Sequence, residues 1–169
     1  MNELLIFSGF VLMNKKLLTF FVLILLSLSV IADYFEDAEQ AYISGDYSTA
    51  FIILKKPAEK GCAWAQNNLG WLYHQGLGVI QDYKQAVYWY EKSAEQGNAA
   101  SQNNLGGMYY YGLGATQDYI EAYKWHSIAS ANGVEKSRDA KDSIVKLMTP
   151  SQIESAQKLA REWMKKHQQ

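Results

Sequence analysis

Two consecutive stretches of this sequence are copies of one another. Residues 62–97 read CAWAQNNLGWLYHQGLGVIQDYKQAVYWYEKSAEQG, and residues 98–133 read NAASQNNLGGMYYYGLGATQDYIEAYKWHSIASANG. They align without a gap and are identical at 16 of the 36 positions. Repeats of this length are typical of arrays of helical hairpins, in which each unit buries its apolar face against its neighbours. The repeat therefore predicts an all-α solenoid.

Each copy has the pattern of two helices joined by a turn. The second helix is predicted to begin at Asp82 or Asp118, an N-cap carboxylate followed three residues later by Gln or Glu, and to end near Gly97 or Gly133. In the first helix, apolar or small residues recur at i, i+4, i+7 and i+8, which is one face of an amphipathic helix. These residues are Ala65, Leu69, Leu72 and Tyr73 in one copy and Ser101, Leu105, Met108 and Tyr109 in the other.

Glycines recur at two kinds of position. Gly70 and Gly106 lie inside the first helix, where a glycine costs about 1 kcal/mol relative to alanine. We therefore expect another helix to cross there too closely for a Cβ atom. The Gly-Leu-Gly runs at 76–78 and 112–114 tolerate positive φ and are predicted to end the first helix.

Partial units flank the two full copies. Residues 33–61 are predicted to form a half-matched N-terminal unit, in which residues 46–61 align on the second half of the repeat and Asp46 aligns on Asp82. Residues 134–169 are predicted to form two closing helices, the last of which begins at TPSQ, residues 149–152, and runs to about Lys166. Atypical terminal units are expected, because the ends of an array must shield its core from water.

Together these segments resemble a known family. Residues 65–97 and 101–133 closely resemble the Sel1-like repeat, a relative of the tetratricopeptide repeat. AYISGDYSTAF, residues 41–51, resembles the tetratricopeptide form, and MTPSQIESAQKLAREW, residues 148–163, resembles the closing segment of small exported bacterial Sel1-repeat proteins. The resemblance implies a right-handed superhelix whose inner face is lined by the first helix of each pair. It also implies an adaptor that binds proteins or peptides.

The resemblance further implies which side chains face the concave surface. Aromatic rings there are suited to anchoring a partner, and Asn amides are suited to hydrogen bonding an extended peptide. Most of the positions differ between the copies, as expected of a scaffold with separately chosen contacts. The alternative is that they only pack between adjacent helices. The residues are Trp64, Asn67, Trp71, His74 and Gln75 in one copy, and Ala100, Asn103, Gly107, Tyr110 and Tyr111 in the next.

The first 32 residues have the pattern of an export signal. Lys15 and Lys16 precede the apolar run LLTFFVLILLSLSVIA, residues 17–32, so we predict a signal peptide over 1–32 that is cleaved after Ala32. Met13 is interpreted as the true start. The predicted location is the periplasm or the extracellular space. An uncleaved anchor is the alternative, although residues 17–32 are fewer than the roughly 20 that a membrane span needs.

Composition and charge argue against several classes of function. The 169 residues include 16 Lys and Arg against 17 Asp and Glu without a basic cluster, so nucleic acid is not an expected partner. The single cysteine, Cys62, allows no intrachain disulfide and no cysteine-based zinc site; it is interpreted as a partly buried thiol, with an intermolecular disulfide as the alternative. His74, His126 and His167 lack the spacing of a metal site. We predict no metal, no cofactor and no small-molecule substrate.

Two alternative functions stay open beside a non-enzymatic adaptor. Residues 143–146, Ser-Ile-Val-Lys, fit the S-x-x-K element of an exported hydrolase of the β-lactamase type, but neither S-D-N nor K-T-G occurs in the sequence. If residues 13–32 were retained, the protein would instead be a membrane-tethered assembly factor of the envelope. Asp82 and Asp118 lie one repeat apart and are interpreted as helix caps rather than as an acid–base pair.

Overall fold

The computed structural model describes residues 36–167, together with Leu17 and Phe20. The predicted signal peptide, residues 1–32, lies outside the described residues except for those two. The described chain contains helices and no β-strand, which confirms the all-α prediction. The helices of residues 36–167 are α1 (residues 36–43), α2 (Tyr47–Glu59), α3 (Ala63–Gln75), α4 (Tyr83–Ala94), α5 (Ala99–Tyr111), α6 (Tyr119–Ala131), α7 (Glu135–Val145) and α8 (Pro150–His167).

The helices form a solenoid of successively packed pairs. From α2 to α7, each helix packs against the next one in the sequence, and α8 returns to pack against α6. Three apolar clusters follow one another along the array, and each combines residues from neighbouring units. Three fully buried alanines lie one repeat apart at the interface between helices, at Ala50, Ala86 and Ala122. Their small side chains allow the paired helices to approach each other closely.

The predicted N-cap aspartates cap their helices. Asp82 Oδ1 accepts hydrogen bonds from the backbone N–H groups of Lys84 and Gln85, at 2.9 and 3.0 Å. Asp118 caps α6 in the same way. The capping box predicted at Asp82 is only half formed, because the N–H of Asp82 donates to the carbonyl of Tyr73 across the turn. That bond closes the turn onto the preceding helix, so the Gln85 side chain is not needed there.

The glycines inside the first helix of each repeat lie under an aromatic ring from the second helix of the same repeat. A Cβ atom at Gly70 would lie 2.8 Å from the ring of Tyr90, and one at Gly106 would lie 2.8 Å from the ring of His126. Both distances are too short for a real contact, so the predicted close crossing is confirmed.

The turn glycines hold successive units together. Gly78 and Gly114 have φ angles of 69° and 72°, which favour glycine. A Cβ atom at either position would collide with the backbone at the start of the second helix in the preceding unit, at Tyr47 or Tyr83. Each turn therefore rests directly on the neighbouring unit.

Buried amide side chains also join successive units. Gln66 Nε2 donates to the carbonyl of Ala58 at 3.0 Å, and Gln102 Nε2 donates to the carbonyl of Ala94 at 3.2 Å. The Oε1 atoms of the two glutamines accept hydrogen bonds from Gln96 and Asn132. Each glutamine thus connects the end of the preceding second helix to the end of its own unit. This role explains why the two copies share Gln at a buried position.

The last helix is fixed at both ends. The predicted capping box at its start is complete, because the Thr149 N–H donates to Gln152 Oε1 at 2.9 Å and the Gln152 N–H donates to Thr149 Oγ1 at 3.3 Å. Near its other end, Trp163 Nε1 donates to Glu95 Oε2 at 3.0 Å. Neither α8 nor any other helix in residues 36–167 has the length and apolar character of a membrane span.

Candidate functional site

A pocket of about 520 Å³ lies between the first helices of the last three units. Side chains of α3, α5 and α7 form its sides, and a ring from α6 forms part of its lining. The volume is within the range of pockets that hold a small molecule or a large side chain. It lies on the face that the resemblance assigns to partner binding.

Five of the ten predicted concave-face residues line this pocket. They are His74 from α3 together with Asn103, Gly107, Tyr110 and Tyr111 from α5. Tyr111 is 70% exposed, and its ring makes an edge contact with Tyr110 at 4.8 Å between centroids. These two rings give the pocket an aromatic rim.

The structure places the other five residues outside the pocket lining. Trp64 is half-buried against the apolar cluster of the first units. Trp71 is also half-buried, and its ring lies 5.1 Å from that of Tyr42. Gln75 and Ala100 are exposed.

The paired asparagines connect the first helices of successive units. Asn67 Oδ1 accepts a hydrogen bond from Ser101 Oγ at 2.8 Å, and Asn103 Oδ1 accepts one from Ser137 Oγ at 2.9 Å. The side chain of Asn104 continues this network on the pocket side, where its Oδ1 accepts from Asn103 Nδ2 at 3.3 Å. These bonds orient the amides that line the pocket.

The pocket opens where the two copies of the repeat differ most in side-chain size. Position 71 carries an indole in contact with Tyr42 and Tyr47, whereas the equivalent residue one repeat later is Gly107. A Cβ atom built on Gly107 meets nothing within 4 Å. The absence of a side chain at this position leaves open the space beside α5.

His126 contributes a polar ring to the lining. It stands where the previous unit has Tyr90 and is only 5% exposed. Burial, with a smaller contribution from Lys136, lowers the pKa of His126 to about 4. Its Nδ1 atom is buried without a hydrogen-bond partner. His126 is therefore a neutral imidazole at pH 7 with one nitrogen unsatisfied.

The pocket carries no formal charge at neutral pH. None of its lining residues is Asp, Glu, Lys or Arg. Burial also lowers the pKa of His74, which keeps that ring neutral. Such a site suits an apolar or uncharged polar group, since a buried ion would find no partner of opposite charge.

Ser143 lines the pocket without the surroundings of a nucleophile. Its Oγ donates to the backbone carbonyl of Asp139 at 3.0 Å, within the same helix. No hydrogen bond within residues 36–167 joins it to a histidine or lysine that would act as a general base. No three His, Cys, Asp or Glu residues of this part of the chain form a metal-binding group.

Several pocket residues were not predicted from the sequence. Asn104 is identical in both copies, so it carried no signal of a separate contact. The sequence around His126 indicates only an ordinary packing or surface position, and the pattern around Ser143 points only to hydrolysis. The sequence signal that could have located the pocket is the difference between Trp71 and the equivalent Gly107, because a missing side chain leaves space beside the helix.

Comparison with known proteins now defines the repeat. A family model for the Sel1 repeat matches residues 65–98 and 99–134. The chain contains Sel1 repeats. Their limits differ by a few residues from the segments 62–97 and 98–133, because a repeat has no natural starting point along an array. A search of the curated proteins found no match.

Solved structures with the same repeat support this assignment. One is a protective antigen present in uropathogenic Escherichia coli strains displaying an SLR fold, which is 34% identical with a TM-score of 0.76 and aligns with 82% of this chain. Another is a Sel1 repeat protein from Oxalobacter formigenes, which is 36% identical with a TM-score of 0.59 over 62% of this chain. This chain spans 31% and 43% of those two chains.

Proposed function

We propose that this protein is a non-enzymatic adaptor that binds a protein or peptide through the concave face of its Sel1 repeats. Sel1-repeat proteins are commonly protein-interaction scaffolds. The observation that carries the proposal is the pocket between α3, α5 and α7, with its aromatic rim. An exposed ring such as Tyr111 can bury a large apolar area on binding.

The chemistry of the pocket favours binding over catalysis. Acid–base or nucleophilic catalysis needs a titrating group paired with a reactive one. Here the two histidines are held neutral by burial, and Ser143 bonds a backbone carbonyl. A neutral polar lining orients a ligand without activating it.

The proposal places the adaptor outside the cytosol, in the periplasm or beyond the cell. Its support is the sequence of residues 15–32, in which two lysines precede an apolar run. Intact-mass measurement of the protein from the cell envelope tests this part. A chain that begins at residue 33 is expected, whereas a chain that retains residues 13–32 in the membrane fraction would favour a tethered assembly factor.

Site-specific photo-crosslinking tests the binding face. A benzoylphenylalanine at position 111 is expected to capture a partner in living cells, because this position is exposed at the pocket rim. The same residue at position 88 is the matched control, since Tyr88 is an exposed tyrosine of α4 outside the pocket.

The captured protein must then bind in a purified system. We expect Tyr111→Ala to weaken its binding at least tenfold and Tyr88→Ala to leave it unchanged, as measured by isothermal titration calorimetry. Equal crosslinking from both positions, or equal effects of both substitutions, would argue against a concave-face adaptor.

A further inference from the structure

The two Sel1 repeats provide an internal comparison for the pocket. They share the segment QNNLG, at 66–70 and 102–106. Residues 71 and 107 directly follow this segment, so they occupy equivalent positions on the first helix of each repeat. In the first repeat the indole of Trp71 packs on neighbouring rings, 5.1 Å from Tyr42 and 6.2 Å from Tyr47. In the second repeat the same position is Gly107, and the space beside it is open. The scaffold therefore accommodates an indole in one unit and lacks it in the next.

The polar groups of the pocket are of the kind that an indole ring satisfies. Indole has one N–H donor and no acceptor, so it needs one acceptor in an otherwise apolar site. Neutral His126 provides an acceptor nitrogen, and the Asn104 amide provides an oxygen. Met108 and Ile144 supply apolar contacts on two sides. The lining therefore combines apolar walls with uncharged polar groups.

We infer that the Gly107 pocket receives one tryptophan side chain from an uncharged segment of the bound polypeptide. The inference rests on the proposed function and specifies the partner's chemistry. A tryptophan in this pocket would restore to the second repeat the ring that Trp71 gives the first. Charged side chains are selected against, because the lining offers no counter-ion.

Blocked amino acids test the pocket directly. N-acetyl-L-tryptophanamide and N-acetyl-L-lysinamide are titrated into the full chain, and backbone amide shifts are followed by NMR. We expect the tryptophan probe to bind at least tenfold more tightly than the lysine probe, with the largest shifts at Gly107, Met108 and Ile144. Equal affinity for the two probes, or shifts centred elsewhere, would overturn the inference.

Filling the pocket is the complementary test. Gly107→Trp supplies the indole from the chain itself and is expected to reduce binding of the tryptophan probe at least tenfold. Gln85→Trp is the matched control, because it adds the same side chain to an exposed position of α4 outside the pocket lining and outside the predicted concave face. If Gly107→Trp does not fold, Gly107→Met occupies the same space with a flexible chain and carries the same expectation. Unchanged binding in the folded variant would contradict the assignment.

The partner found by crosslinking separates this inference from the proposed function. Loss of partner binding in both Tyr111→Ala and Gly107→Trp supports the concave-face adaptor and the tryptophan pocket. Loss in Tyr111→Ala with full binding in Gly107→Trp would leave the adaptor in place and refute the tryptophan pocket. Probe binding at Gly107 without any captured partner would refute the adaptor, and with it the assignment of the tryptophan to a bound polypeptide, and would leave only a pocket that prefers an indole.

Discussion

At the scale of the single residue, position 126 differs from its counterpart in the preceding repeat in its response to pH. His126 and Tyr90 occupy equivalent places over a helix glycine, and both are almost fully buried. Burial raises the pKa of Tyr90 and lowers the pKa of His126. Both groups are therefore neutral at pH 7, but only the histidine can gain a proton as the pH falls.

Acid is expected to destabilise the fold through His126. Its pKa falls from 6.5 to about 4 on folding, so between these values the unfolded chain binds the proton more readily. Well above pH 6.5 His126 does not lower the free energy of unfolding. As the pH falls below that value the free energy of unfolding decreases, and the decrease is roughly 2 kcal/mol at pH 5. Urea unfolding at pH 7.5 and pH 5 measures this loss.

His126→Tyr is the matched variant, since the tyrosine is the residue of the other repeat. It should remove most of the additional loss at pH 5, while contributions from His74 and the carboxylates are common to both proteins. If the variant and the parent lose the same stability, His126 does not titrate as described.

A second prediction concerns the turn glycines. Gly114→Ala is expected to cost roughly 3 kcal/mol, because the new Cβ meets the Tyr83 backbone and the residue also has positive φ. Gly133→Ala is the control: its φ is 90°, but nothing lies within 4 Å of the added atom, so strain alone costs about 1 kcal/mol. Thermal unfolding measures both. Equal costs would mean that the turn does not press on the preceding unit.

At the scale of the helix, the start of α8 tests a capping box that was predicted from four residues. Thr149→Ala removes the oxygen that accepts the Gln152 N–H, so we expect a loss of about 1 kcal/mol. Ser151→Ala, two residues further along, is the control, because the cap bonds join only Thr149 and Gln152. Urea unfolding measures both variants. A loss of equal size in both would show that the box does not stabilise the helix.

Helix starts were more predictable than the way the helices meet. A capping aspartate acts on its own first turn, so Asp82 and Asp118 could be assigned from local sequence alone. The absence of the reciprocal bond from Gln85 depends on the Tyr73 carbonyl across a turn, and no local pattern encodes that distance. The exact return of α8 to α6 is likewise a tertiary contact.

At the scale of the whole molecule, the buried glutamines join each unit to the preceding one by hydrogen bonds, so we expect them to couple the unfolding of neighbouring units. Gln102→Leu keeps the volume but leaves the Ala94 carbonyl and the Asn132 amide without this partner. We expect a loss of about 2 kcal/mol and a shallower urea transition, as units that no longer share bonds unfold separately. Gln85→Ala, at an exposed position of α4, is the control and should change neither quantity. An unchanged slope in Gln102→Leu would place the coupling elsewhere.

The array as a whole was predictable, but its pocket was not. A gapless repeat identifies the fold because every unit buries the same face, so identities such as Leu69 and Leu105 mark the core. The pocket depends on what the array lacks at Gly107 and on side chains from α6 and α7 that no repeat pattern brings together. The predicted concave-face residues remain predictions of partner contact, and five of them now have a common location.

The Gly107 pocket belongs to a 36-residue repeat, and the neighbouring units supply the rest of its lining. Duplicating residues 98–133 in the gene would therefore create a second docking point one step along the superhelix, with the inserted α5 standing where α7 now stands. A ligand with two suitably spaced tryptophans would engage both points at once and gain avidity through effective concentration. Repeat number would then set valency, and a weak single-residue contact would become a tunable one.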